Sequence, residues 1–128
     1  MYNKFGQFID GKWQTSSSQE TYEVINPATE EIIGKAPKAS PADIEKALKS
    51  AEKGFAVWKK TPPWQRSYII RKIADLFRKK NEVLARWLTI EVGKPMVEGL
   101  GEVSSAADIF EWNAEETKRI YGQTVESR

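Results

Sequence analysis

The sequence predicts an α+β fold: antiparallel hairpins over residues 1–39, then about four helices over residues 40–128. Three observations carry that reading. Up to Ala36, short runs alternate apolar and polar side chains between clusters of turn-forming residues. From Ser40 onward the apolar residues recur with a helical period. The 128 residues are 40% apolar and 30% charged, which can supply a packed core and argues against a disordered chain.

The first hairpin is predicted by Gln7-Phe8-Ile9 and Lys12-Trp13-Gln14 around Asp10-Gly11, a dipeptide suited to tight turns that need positive φ. Thr15 to Glu20 is polar and reads as a loop. Tyr22 to Ile25 reads as a strand, Asn26-Pro27-Ala28-Thr29 as a turn, and Glu31 to Ala36 as the returning strand. These pieces are expected to form one small antiparallel sheet.

The helices announce themselves by their ends. Ser40 is a good N-cap, Pro41 suits the first helical position, and Asp43 sits where the acid of a capping box belongs. Ile44, Ala47, Leu48, Ala51, Phe55 and Trp58 then share a face as far as Lys60. Thr61-Pro62-Pro63 breaks that helix and opens the next, in which Ile69, Ile70, Ile73, Leu76 and Phe77 line up. A third helix starts at Asn81, carries Val83, Trp87 and Ile90 in line, and stops at Gly93-Lys94-Pro95. The fourth is expected from Met96 to Tyr121 with two apolar stripes. One runs through Met96, Leu100, Val103, Ala107, Phe110, Ala114 and Tyr121, the other through Ile109, Asn113 and Ile120. A helix apolar on two sides normally packs against two layers, so part of the body is expected to be missing.

Composition excludes several chemistries. There is no Cys and no His, so Ser-His-Asp, Cys-His and zinc-hydrolase readings fall away. No apolar run approaches the ~20 residues of a membrane span. Met1 to Asp10 shows no secretory signal, and a cytoplasmic location with no membrane partner is the expectation. The 20 Lys and Arg nearly cancel the 18 Asp and Glu, which argues against a nucleic-acid partner.

Lys59 to Lys80 is strongly basic and reads either as a phosphate-binding stripe or as a solvated face. The helical wheel favours the solvated face, because Arg71, Lys72, Arg78 and Lys79 lie opposite the apolar one. Glu98, Glu102, Asp108, Glu111, Glu115 and Glu116 form an acidic counterpart that could pair with the basic helix. Gly93-Lys94-Pro95 lacks the glycine spacing of a phosphate loop and reads as a helix stop. Asn113 reads either as a ligand contact or as a buried amide bonded to neighbouring backbone.

Gly11-Lys12-Trp13, then Val24-Ile25-Asn26-Pro27-Ala28-Thr29-Glu30, then Ile33-Gly34-Lys35-Ala36 form a series whose order resembles the start of the aldehyde dehydrogenase superfamily. The likeness is fullest in Glu91-Val92-Gly93-Lys94-Pro95-Met96, Gly101-Glu102-Val103 and Glu111-Trp112-Asn113-Ala114-Glu115-Glu116, a stretch similar to succinate-semialdehyde dehydrogenases. The resemblance implies the N-terminal part of a three-domain α/β fold, with residues 40–128 as a helical segment of the cofactor-binding domain. The downstream catalytic part is then absent from this chain. Such enzymes oxidise an aldehyde to an acid with NAD or NADP, using a Cys nucleophile and a Glu that activates water, neither of them expected here.

On this resemblance Ser105, Asp108, Ile109 and Trp112 are candidates for the wall of the substrate tunnel, with core packing the alternative for Ile109 and Trp112. Ile25, through its carbonyl, and Glu91 are candidates for a monovalent cation, with a structural salt bridge the alternative for Glu91. Asn113 stands where close relatives carry an aromatic residue. The chain alone is expected to bind no cofactor and to be inactive. Its expected partners are the missing downstream domain or a second copy. The runner-up is a stand-alone interaction or regulatory module derived from the same family.

Overall fold

The computed structural model describes residues 6–127. The first five residues of the predicted hairpin segment, which are also half of the stretch read for a secretory signal, lie outside the described residues. The elements are β1 (Gln7–Ile9), β2 (Lys12–Gln14), β3 (Thr21–Ile25), β4 (Ile32–Pro37), α1 (Pro41–Trp58), α2 (Pro63–Lys79), α3 (Asn81–Val92) and α4 (Met96–Glu116). A short 3₁₀ turn, Thr117–Arg119, follows α4.

The strands form two separate two-stranded antiparallel sheets, which corrects the expectation of a single one. The turns explain why each hairpin closes on itself. Asp10 and Gly11 both adopt positive φ, 55° and 74°, as a two-residue hairpin loop requires. The register then pairs Phe8 with Trp13 and Ile9 with Lys12. In the second hairpin the Asn26 side chain accepts from the Ala28 N–H at 2.9 Å, and Glu30 takes the left-handed conformation that turns the chain back.

By its contacts the chain divides into two compact units. The first holds residues up to Lys60 together with Trp87–Pro95, and the second holds Thr61–Arg86 with residues from Met96 onward. The change of sequence texture at residue 40 therefore marks where strands give way to helices, while α1 clusters with the strands.

Within the first unit, the start of α1 is locked by Asp43. The capping box is complete: the Ser40 hydroxyl accepts from the Asp43 N–H, and the Asp43 carboxylate accepts from the Ser40 N–H at 3.0 Å. The same carboxylate accepts from the Ser17 N–H at 3.1 Å and meets the Ser16 hydroxyl at 3.0 Å. One buried acid thus ties the loop after β2 to the helix start. The Ser40 N–H, then the Ser17 N–H and both hydroxyls, hold its carboxyl well below the usual carboxylate range despite desolvation. The apolar face of α1 is left open, with Ile44, Leu48 and Phe55 all more than half exposed. Gly93, at φ 75°, ends α3, and its Cα packs so closely on the second hairpin turn that a Cβ there would stand 3.0 Å from Pro27 Cγ.

The second unit is held by α2 against α4. Its buried positions are small: Ser67, Ala74, Ala85, Gly99, Val103, Ala107, Ala114 and Thr117. Phe77 meets Phe110 with ring centroids 5.3 Å apart. The helix predicted to reach Tyr121 ends at Glu116, so Tyr121 leaves its stripe and is 80% exposed. The reason is local: Asn113 Nδ2 donates to the Ile109 carbonyl at 2.8 Å and Thr117 Oγ1 to the Asn113 carbonyl at 2.8 Å, and such back-bonds compete with the helical ladder.

Candidate functional site

The four residues expected on the tunnel side fall at i, i+3, i+4 and i+7 of α4, so Ser105, Asp108, Ile109 and Trp112 share one side of the helix. All four are exposed in this chain, Ile109 at 62% and Trp112 at 70%. Core packing, the alternative for the two apolar ones, is not seen among the described residues. Ile120, from the second predicted stripe, is likewise 68% exposed.

The edge of this face is fixed by charge. Arg78 Nη2 donates to Asp108 Oδ1 at 2.9 Å and to Glu111 Oε2 at 2.5 Å. Arg71 donates to Glu111 Oε1 at 2.7 Å and also to Glu115. Lys118 reaches Glu115 at 2.6 Å and lies over the Trp64 ring. Two of the residues assigned to a solvated face, Arg71 and Arg78, are therefore bound to α4. The wheel of α2 placed them away from its own apolar stripe, and the acidic run of α4 pairs with them as the sequence suggested. Their guanidinium pKa values are raised, by Glu115 first for Arg71 and by Glu111 first for Arg78. Glu115 is shifted down, by Lys118 first and then Arg71.

The consequence for the site is that Asp108 is committed to Arg78, while Ser105, Ile109 and Trp112 stay available. The face offers one hydroxyl and two large apolar side chains, which suits enclosing a substrate and supplies no nucleophile or base. Asn113 is exposed and satisfied by its own helix, which corrects the reading of it as buried.

Ile25 and Glu91 both belong to the first unit and are exposed. The close approach of Gly93 to Pro27 and Ala28 brings the segments that follow them together. No group of three or more Asp and Glu side chains among the described residues is placed to hold a metal ion. A divalent cage is thus not supported, whereas a monovalent ion, held largely by carbonyls, needs fewer charges. No helix among the described residues is long and apolar enough to cross a membrane.

Comparison with known proteins agrees with this architecture. Residues 13–128 match the model of the aldehyde dehydrogenase family. The chain is 41% identical over 118 residues to a glutarate-semialdehyde dehydrogenase of Pseudomonas aeruginosa, covering 92% of this chain and 24% of that protein. It superposes on the crystal structure of a succinate-semialdehyde dehydrogenase from Burkholderia pseudomallei with a TM-score of 0.92 and 38% identity, over 96% of this chain and 26% of that one. An NAD-dependent aldehyde dehydrogenase from Sinorhizobium meliloti gives a TM-score of 0.88 and 32% identity, over 93% of this chain and 24% of that one. The chain thus spans about a quarter of the length of these relatives, and its hairpins and helices have the fold of an N-terminal part of them. With residues 13–128 matched and the fold shared, the chain belongs to the aldehyde dehydrogenase family.

Proposed function

We propose that this chain serves as the N-terminal segment of an NAD(P)-dependent aldehyde dehydrogenase that oxidises an aldehyde, in particular a semialdehyde, to a carboxylic acid. The observation that carries the reading is the family match joined to an α4 face whose large apolar residues, Ile109 and Trp112, stand uncovered. In this reading the rest of the enzyme covers that face, and Ser105, Ile109 and Trp112 line the aldehyde's approach while Asp108 keeps its edge in place. The nucleophilic Cys and the water-activating Glu belong to that remainder. Residues 40–128 then form a helical segment of the cofactor-binding domain. Ile25, by its carbonyl, and Glu91 hold a monovalent cation. The enzyme works in the cytoplasm, and a second copy is a further candidate partner. A free-standing module is the less favoured reading, since the relatives above are whole dehydrogenases about four times as long.

The residues described here do not fit the dinucleotide itself. A cofactor pyrophosphate is normally held at a helix N-terminus that follows a buried parallel strand, and the strand pairs among the described residues are antiparallel. The isolated chain is therefore expected to give no NAD(P)H with glutarate or succinate semialdehyde, and no saturable heat on titration with NAD or NADP. Exchanged for the matching quarter of the Pseudomonas glutarate-semialdehyde dehydrogenase, it is expected to support turnover. In that chimera Trp112→Ala should raise KM about tenfold, the scale of losing one apolar contact to substrate. The melting temperature should hold if Trp112 contacts substrate. A chimera that folds and binds cofactor but turns over with an unchanged KM on Trp112→Ala removes the tunnel assignment.

A further inference from the structure

The cleft between the β1–β2 hairpin and α1 has the chemistry of an anion site. The hairpin register puts Phe8 and Trp13 together on one side, with ring centroids 5.1 Å apart, and Ile9 with Lys12 on the other. That second side and α1 enclose a cavity of about 350 Å³, within the range of small-ligand pockets. Lys46, Lys49 and Lys53 follow one another at i, i+3 and i+7, so a single face of α1 lines the cavity with three lysines, and Lys12 adds a fourth from the hairpin.

The local acids neutralise this cluster only in part. Glu45 pairs with Lys49 at 3.3 Å, and Asp10, which also lines the cavity, accepts from the Ser50 hydroxyl at 3.2 Å. That leaves Lys12, Lys46 and Lys53 facing the cavity with no ion pair among the described residues. Like charges three and four residues apart weaken a helix. A bound anion removes that repulsion. The nearly balanced charge of the whole chain argues against general adhesion to polyanions but leaves a local excess intact.

We propose that this cleft binds a compact chain of linked phosphates, either free polyphosphate or the triphosphate group of a nucleotide. Three lysines without an ion pair, and a fourth shared with Glu45, match a ligand carrying several negative charges within a short span. Inorganic phosphate and NAD, which carry fewer charges, bind much more weakly.

The test titrates the 128-residue chain with sodium tripolyphosphate, followed by calorimetry and by amide resonances. The expected result is one saturable site, with shifts concentrated at Lys12, Lys46, Ser50 and Lys53. Affinity should fall about tenfold between roughly 20 and 200 mM salt, as exposed charge pairs are screened. The double variant Lys46→Gln/Lys53→Gln should lose about tenfold, the scale of two exposed ion pairs, with helical circular dichroism unchanged. Lys72→Gln/Lys79→Gln, on the basic face of α2, should bind as the parent does. ATP binding as tightly as tripolyphosphate identifies the phosphate chain as the whole determinant, and tighter binding identifies a nucleotide. Absence of saturation at low salt, shifts spread equally over α2, or full affinity in Lys46→Gln/Lys53→Gln would each overturn the proposal.

Discussion

Gly99→Val is expected to destabilise the second unit by about 3 kcal/mol, at the upper end of overpacking effects. A Cβ at Gly99 would stand 2.9 Å from the Ala85 carbonyl oxygen and 3.4 Å from the Ala85 Cα. The obstacle is backbone, so no rotamer change relieves it, and α3 and α4 must separate where Ala85 is fully buried. Set against the ~5–15 kcal/mol of a typical domain, this should lower the melting temperature by more than about 10 °C. Gly101, two residues on, supplies the control. Nothing lies within 4 Å of the Cβ it would gain, so Gly101→Ala should raise stability by up to about 1 kcal/mol through helix propensity alone. Thermal melts of both variants decide the point. A Gly99→Val protein that melts with the parent would mean that α3 and α4 do not pack as closely as described.

Asp43→Asn is the second large effect, and its signature is in pH. The carboxylate is held by two backbone N–H groups and two hydroxyls, and its folded pKa lies below the ordinary 3.8. A depressed carboxyl contributes stability that is fully present above its unfolded pKa and is lost as pH falls toward the folded value. The parent should therefore exceed Asp43→Asn by a constant margin from about pH 5 to 8, and the margin should shrink below about pH 4. The loss should also exceed that of Ser40→Ala, which removes the cap bond from the Asp43 N–H and one of the hydroxyls on the carboxylate but leaves both backbone N–H donors in place; loss of such a cap typically costs about 1 kcal/mol. Urea melts at several pH values measure it. A margin that grows on acidification would contradict this account of Asp43.

Local chemistry made much of the fold legible. Asp10-Gly11 located β1 and β2 because few residue pairs accept positive φ twice, and Ser40, Pro41 and Asp43 located the start of α1 because a capping box has fixed spacing. Gly93 located the end of α3 for a similar reason. What the sequence hid was non-local. Nothing in Tyr22 to Ala36 says whether its hairpin pairs with the first one, and the two sheets stay apart. The pairing of the basic helix with the acids of α4 was legible from their charge runs, but which acid meets Arg71 was not, since Glu111 lies 40 residues on in the chain. The candidate face on α4 came from resemblance rather than from periodicity, and exposure alone cannot distinguish a substrate wall from a covered interface. The lysine cleft was missed because Lys12 and Lys46 are far apart in sequence, although the 46, 49, 53 spacing was visible.

The small buried residues of the second unit have a thermodynamic consequence. Ala74, Ala85, Ala107 and Ala114 let helices approach closely, but each withdraws little hydrocarbon from water, and no large side chain is fully buried among the described residues. Heat-capacity change on unfolding follows newly wetted apolar area, and so does sensitivity to urea. A chain packed in this way should unfold with a ΔCp below the usual ~12–15 cal/mol/K per residue. Its stability curve should be correspondingly flat, changing little from cold to warm and lacking a sharp optimum. Covering the exposed Ile109 and Trp112 with a further layer would add the missing hydrocarbon burial, restoring curvature and cooperativity together.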